Sequence, residues 1–217
     1  MYNDVKAISA DGSVVVGYNI DTSGNSQAFR WTTSAGMVSL GLLPGATMSL
    51  PERVSADGSV VVGRSGLPGI SNHTFRWTSS TGMVKFDVFP GGTSSTISGL
   101  SRNGNVMVGY GDIGKARYRA FRWSQSGGLV SLGEPPSDYM HSYATAVNLD
   151  GSVVVGYFGT SEGRLQAFRW TKSSGMVALS VPPGSKNNYA THVSADGSVI
   201  IGQTANSQVS QVFRWTQ

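Results

Sequence analysis

Two stretches of this chain gather side chains able to hold a polar ligand. Gly111 to Arg119 contains Lys115, Arg117, Tyr118 and Arg119, and Glu134 to Thr145 contains Asp138, Tyr139, Met140, His141 and Tyr143. Tyrosine rings stack on the apolar faces of sugars while charged and amide groups bind hydroxyls, so this mixture points to a glycan or another surface polymer. Lys186, Asn187, Asn188 and Tyr189 repeat the composition further along. The predicted ligand-binding residues are Lys115, Arg117, Tyr118, Arg119, Asp138, Tyr139, His141, Tyr143 and Tyr189. Arg53 and His192 are further candidates, at strand positions that could reach a channel mouth.

Other chemistry finds less support. With no Cys there is no disulfide framework, thiolate metal site or Cys nucleophile. His73, His141 and His192 are far apart with no local ligand pair, so neither a metal nor a cofactor is expected. No Gly-x-Ser-x-Gly elbow stands between a strand and a helix. Asp138 with Glu134 or Asp112 is the one carboxylate set a lyase or hydrolase could use, which makes an enzyme the weaker reading. The net charge of +4 is too mild for nucleic-acid binding, which wants a concentrated basic stripe. No apolar run approaches the ~18 residues of a membrane span, and the first residues lack the features of a signal peptide, so no membrane insertion is expected.

The elements that must position these side chains follow from repetition. Phe-Arg-Trp begins at Phe29, Phe75, Phe121, Phe168 and Phe213, with spacings of 46, 46, 47 and 45. Asp-Gly keeps step at Asp11, Asp57, Asp150 and Asp196, with Asn103-Gly104 in the third copy, and Gly-Met-Val or Gly-Leu-Val stands at Gly36, Gly82, Gly128 and Gly175. The first copy predicts strands over Val5 to Ala10, Ser13 to Tyr18, Ala28 to Thr32 and Met37 to Leu40, with a two-residue hairpin at Asp11-Gly12. Val14, Val15 and Val16 are apolar in succession, so that strand is covered on both faces. Four antiparallel strands per repeat, buried on both faces, describe a propeller blade. The 29 Gly and 13% charged residues argue against a helical bundle, while 39% hydrophobic content argues against disorder.

The fold expected is therefore all-β: one five-bladed β-propeller domain over 1–217, strand A innermost, with repeats at about 5–50, 51–96, 97–143, 144–189 and 190–217. Five complete units from Val5 would need about 230 residues where 213 remain, so the last blade lacks its outer strand. Its open edge near Val212 to Thr216 is a candidate for chain-to-chain contact. In this topology the B–C and D–A connections share one face and vary between repeats, whereas the Asp-Gly and C–D turns share the other and do not.

The phrases Ile-Ser-Ala-Asp-Gly-Ser-Val-Val-Val-Gly-Tyr, Ala-Phe-Arg-Trp-Thr, Gly-Met-Val-Ser-Leu-Gly and Leu-Pro-Gly resemble the HAF family of bacterial extracellular repeats. The resemblance spans nearly the whole chain. It implies a secreted or cell-surface bacterial protein and no established reaction. More distantly the repeats resemble the tryptophan–aspartate propellers, whose A–B hairpin also turns at Asp-Gly. The five triplet arginines are expected to be scaffold, bonding backbone carbonyls or the turn aspartates.

Overall fold

The computed structural model describes residues 2–66, 73–180, 187–205 and 210–217. Among these are nineteen strands in five antiparallel sheets. The first sheet comprises β1 (Tyr2–Ile8), β2 (Val14–Ile20), β3 (Ser26–Thr32) and β4 (Gly36–Ser39), and the second β5 (Met48–Val54), β6 (Val60–Gly66), β7 (His73–Thr78) and β8 (Gly82–Lys85). The third is β9 (Ser95–Leu100), β10 (Val106–Asp112), β11 (Tyr118–Ser124) and β12 (Gly128–Ser131). The fourth is β13 (His141–Val147), β14 (Val153–Gly159), β15 (Leu165–Thr171) and β16 (Gly175–Ala178). The fifth holds β17 (Asn187–Val193), β18 (Val199–Ala205) and β19 (Ser210–Thr216), with no fourth strand on β19. Most of the Ser65–His73 loop and Lys186 lie outside the described residues.

The contacts group the chain into two compact units. One holds the first two sheets with Arg102–Gly104, the other Val88–Ser101 and the third, fourth and fifth sheets. Within each unit the first strands of successive sheets touch, as expected of an innermost strand A. The second strand is the core of the second, third and fourth sheets: Val60, Val61 and Val62 are all buried, as are Val106, Met107 and Val108, whereas Val15 of the first sheet, expected to be covered, is half-buried between buried Val14 and Val16.

The strands differ from expectation by up to three residues, and beside Asp-Gly they stop short because the turn is longer than a two-residue hairpin. Ser9 N–H donates to Val14 O at 2.8 Å and Gly12 N–H to Ser9 O at 3.0 Å, so residues 10–13 form the loop. Only the glycine takes positive φ, +74°. The aspartate instead ties the loop through its side chain: Asp11 Oδ1 accepts from Ser9 Oγ (2.7 Å), Ser13 N–H (3.0 Å) and Ser13 Oγ (2.9 Å). Ser9 Oγ in turn accepts Val14 N–H at 2.9 Å. The same arrangement recurs around Asp57 and Asp196. In the fourth sheet Asn148 replaces the first serine and takes Val153 N–H on Oδ1.

These turns also join the sheets. A Cβ on Gly58 would fall 2.7 Å from Val14 Cβ, and on Gly151 2.5 Å from Val106 Cγ2, so each turn is seated on the first valine of the preceding sheet's second strand. Ala10 N–H reaches Ala56 O at 2.9 Å, and Leu149 N–H reaches Ala195 O at 3.1 Å. Two of the triplet arginines complete the joint. Arg30 Nε donates to Gly58 O at 3.2 Å and Arg122 Nε to Gly151 O at 3.0 Å. Of the two partners expected for these arginines, the carbonyl is the one used there, while the aspartates bond serines of their own turns. Inner faces pack between the joints: Val14, Val16 and Ala28 lie with Val61 and Phe75 in one cluster, and Val153, Val155 and Ala167 with Ile200 and Phe213 in another.

Two predictions follow from the turns. Gly58→Ala forces a left-handed alanine, costing ~1–2 kcal/mol, and drives its methyl into Val14 for a further ~1–3 kcal/mol. Gly12→Ala has the same φ but meets only Ile8 Cδ1 at 4.0 Å, so it should show the first cost alone; urea unfolding of the two variants measures the difference. The serine hydroxyls and Ser13 N–H hold Asp11 down to about 2, and Ser194 and Ser198 do the same for Asp196, against 3.8 when unfolded. The folded carboxylates bind protons less readily than the unfolded ones, so their stabilisation is complete above pH 3.8 and lost as pH falls towards 2. The urea midpoint should drop across that window, and drop less in a variant with asparagine at positions 11, 57, 150 and 196.

Candidate functional site

The site is built in the second unit, at the ends of the third, fourth and fifth sheets where the B–C and D–A loops emerge. Each first strand carries a β-bulge: register shifts between Ala144 and Ala146 in β13, and between Ala190 and His192 in β17. The bulge brings the Tyr143 carbonyl and Ala144 Cα so close to Gly156 that a side chain there would overlap backbone. Beyond this point the strands run in plain register, which places Tyr143 opposite Tyr157 and Tyr189 opposite Gln203.

Six aromatic side chains then form a continuous array across three sheets. Tyr110 lies edge-on to Tyr118 (5.9 Å between centroids) and to Tyr143 (4.9 Å). Tyr143 stacks on Tyr157 at 4.9 Å, and Tyr157 meets Tyr189 edge-on at 5.9 Å. His141 closes one end, 5.8 Å from Tyr118 and 6.0 Å from Tyr143. All six are half-buried. Such ring pairs are each worth ~0.5–1.5 kcal/mol beyond burial, so the array has a set shape before any ligand arrives. Tyr189 is further fixed by donating its hydroxyl to Gln203 Oε1 at 2.5 Å.

Tyr143, Tyr157 and His141 are uncharged at neutral pH. Burial, then the neighbouring Tyr157, Tyr118 and Tyr110, push the Tyr143 hydroxyl up to about 12, and burial also raises Tyr157. His141 Nδ1 accepts Tyr118 N–H at 3.3 Å, which leaves the proton on Nε2. Burial first, then Arg119 and Arg117, depress the His141 pKa, so the ring stays neutral. The surface therefore offers ring faces with neutral hydroxyl and imidazole hydrogen-bonding groups.

Of the nine predicted residues, Tyr118, His141, Tyr143 and Tyr189 meet in this array. Arg119 does not face a ligand: it is buried, ion-paired to Glu134 and donating to Met140 O at 2.7 Å and Tyr118 O at 3.1 Å. It ties the D–A loop to β11, and it lowers the Glu134 pKa. Asp138 and Tyr139 belong to a neighbouring patch, where Arg164 lies 5.3 Å over the Tyr139 ring and 4.0 Å from Asp138, and Tyr139 packs on Phe158. Arg117 is half-buried beside β11, and Lys115 is exposed on a turn at φ +54°. The carboxylates nominated for catalysis sit in separate networks: Asp112 accepts from Gly114 N–H (2.7 Å) and Thr93 Oγ1 (3.0 Å), Glu134 is held by Arg119, and Asp138 faces Arg164. Arg53 and His192 are exposed on β5 and β17, outside the array.

Sequence reasoning missed Tyr110 and Tyr157. Both follow the glycine of an apolar second strand and so looked like scaffold. Their signal was disagreement between repeats, since the same position holds Tyr18, Arg64, Tyr110, Tyr157 and Gln203. A cleft of about 1430 Å³ also opens at the opposite end of the third and fourth sheets, beside Arg122, Asp150, Arg169 and Asp196. These are residues present in nearly every repeat, and Arg122 there is committed to the joint, which makes the cleft a product of sheet packing.

Because the folded His141 binds a proton less readily than the unfolded chain, stability should fall as pH drops below 6.5. His141→Asn should remove that component while keeping the acceptor, as Asn187 Oδ1 does for Leu165 N–H at 2.9 Å. Denaturant midpoints from pH 7.5 to 5 for both proteins, with an imidazole titration midpoint below 6.5, provide the check.

No protein-family model matches the sequence, and no curated relative matches it. Solved structures match over nearly the whole chain. TolB from Acinetobacter baumannii is 11% identical, with a TM-score of 0.63 over 99% of this chain and 52% of that one. A structure from an analysis of two prolyl endopeptidases gives 10% identity and a TM-score of 0.72 over 99% of this chain and 33% of that one. The β-propeller domain of the Trilobed protease from Pyrococcus furiosus, described as having an open velcro topology, gives 12% and 0.62 over 99% and 69%. This chain thus spans about half the length of the TolB structure. At such identities the likeness establishes fold: the five sheets, the last three-stranded, are blades of a β-propeller type.

Proposed function

We propose that the chain is a non-enzymatic binding module of a bacterial secreted or cell-surface protein, and that it holds a glycan or similar polyhydroxylated polymer along the tyrosine array. The observation behind this reading is the unbroken run of half-buried ring faces from Tyr118 through Tyr143 and Tyr157 to Tyr189. Sugar rings present alternating apolar faces and hydroxyl rims, which match aromatic faces bordered by neutral hydroxyls. Spread over three sheets, the array suits several consecutive sugar units better than one small molecule. Uncharged groups at its centre favour a neutral polymer over a nucleic acid. Placement outside the cytoplasm rests on the resemblance of the repeats to HAF sequences.

Pull-down with insoluble polysaccharides and calorimetry with soluble oligosaccharides test the reading. Tyr143→Ala combined with Tyr157→Ala should weaken binding at least tenfold, whereas Lys115→Ala should leave it nearly unchanged. Binding that survives the double substitution would place the ligand elsewhere.

A further inference from the structure

At each joint within a unit, one sheet presents the first and third residues of its second strand, and the residue before the triplet phenylalanine, to the next. In the fourth sheet these are Val153, Val155 and Ala167, all buried against the fifth. The fifth sheet has the same surface: Val199 half-buried, Ile201 40% exposed and Val212 77% exposed. Its Arg214 is exposed, unlike Arg122, which bonds the Gly151 carbonyl. The first sheet shows the other half of a joint. Trp31 and Met37 are exposed (37% and 48%), although their counterparts Trp77 and Met83 pack into a cluster in the second sheet. Gly12 is exposed, while Gly58, Gly104, Gly151 and Gly197 are buried on a valine.

The two surfaces are complementary in the elements that join the first to the second and the third to the fourth sheet: valine for glycine, guanidinium for carbonyl, aliphatic patch for tryptophan and methionine. We infer that they are the two halves of a self-association interface, in which the fifth sheet of one copy receives the first sheet of a second copy. Val199 would seat on Gly12 of the second copy, Arg214 would donate to its Gly12 carbonyl, and Ile201 and Val212 would cover its Trp31 and Met37. The contact is heterologous, so each copy keeps one free surface and further copies can add. It uses sheet faces, and is distinct from strand pairing at the β19 edge.

Complementation tests this. Val212→Lys blocks one surface and Met37→Lys the other, and both side chains are exposed enough for the fold to be retained, which circular dichroism verifies. By analytical ultracentrifugation the unmodified chain should gain mass with concentration, and each variant alone should stay monomeric at concentrations at least tenfold above that onset. An equimolar mixture should yield 1:1 dimers and nothing larger, because each variant retains the surface its partner lacks. An unmodified chain that is monomeric throughout, variants that associate like it, or a mixture that stays monomeric would each overturn the assignment.

Discussion

The structure depends on one repeated contact, the seating of a glycine turn on the first valine of the preceding sheet. A lone four-stranded sheet of this size cannot bury two apolar faces, so each must be covered by its neighbours. The missing Cβ of Gly58 or Gly151 lets backbone come close enough for an arginine of the preceding sheet to reach the turn carbonyl. With direct backbone bonds such as Ala10 N–H to Ala56 O, this fixes where successive sheets lie within a unit. The aspartate beside the glycine holds the loop in the shape that docks.

Fixing the turn ends leaves the opposite ends free to vary. The B–C and D–A loops, the first residues of the first strands and the last residues of the second strands make no use of that joint, so their sequences differ without cost to it. In the third to fifth sheets that freedom is filled by tyrosines. The bulge in each first strand is what makes them neighbours, by re-registering β13 so that Tyr143 stands across from Tyr157. Scaffold and binding surface therefore occupy opposite ends of the same strands.

Much of the fold was legible in the sequence because it is local and repeated. The Phe-Arg-Trp period gave five sheets, the apolar runs gave second strands covered on both faces in the second, third and fourth sheets, and the length gave a fifth sheet without its outer strand. The turn was legible in place but not in form, since Asp-Gly fits both a two-residue hairpin and the longer loop. What decided it was Ser9 and Ser13, whose bonds to Asp11 bridge residues the hairpin pattern does not consider.

The site was legible only by composition. Sequence alone determined that tyrosines and charges collect in variable loops around the third and fourth repeats. The tertiary structure decided which of them share a surface: it took Arg119 into an ion pair with Glu134, turned Tyr139 towards Phe158, and added Tyr110 and Tyr157 from strands that looked like scaffold. The physical reason is that side-chain facing in a strand has period two, so one bulge reassigns every residue beyond it. Contacts between sheets join residues some 20 to 50 positions apart, as Tyr118 with His141 and Tyr157 with Tyr189, and no local pattern encodes those meetings.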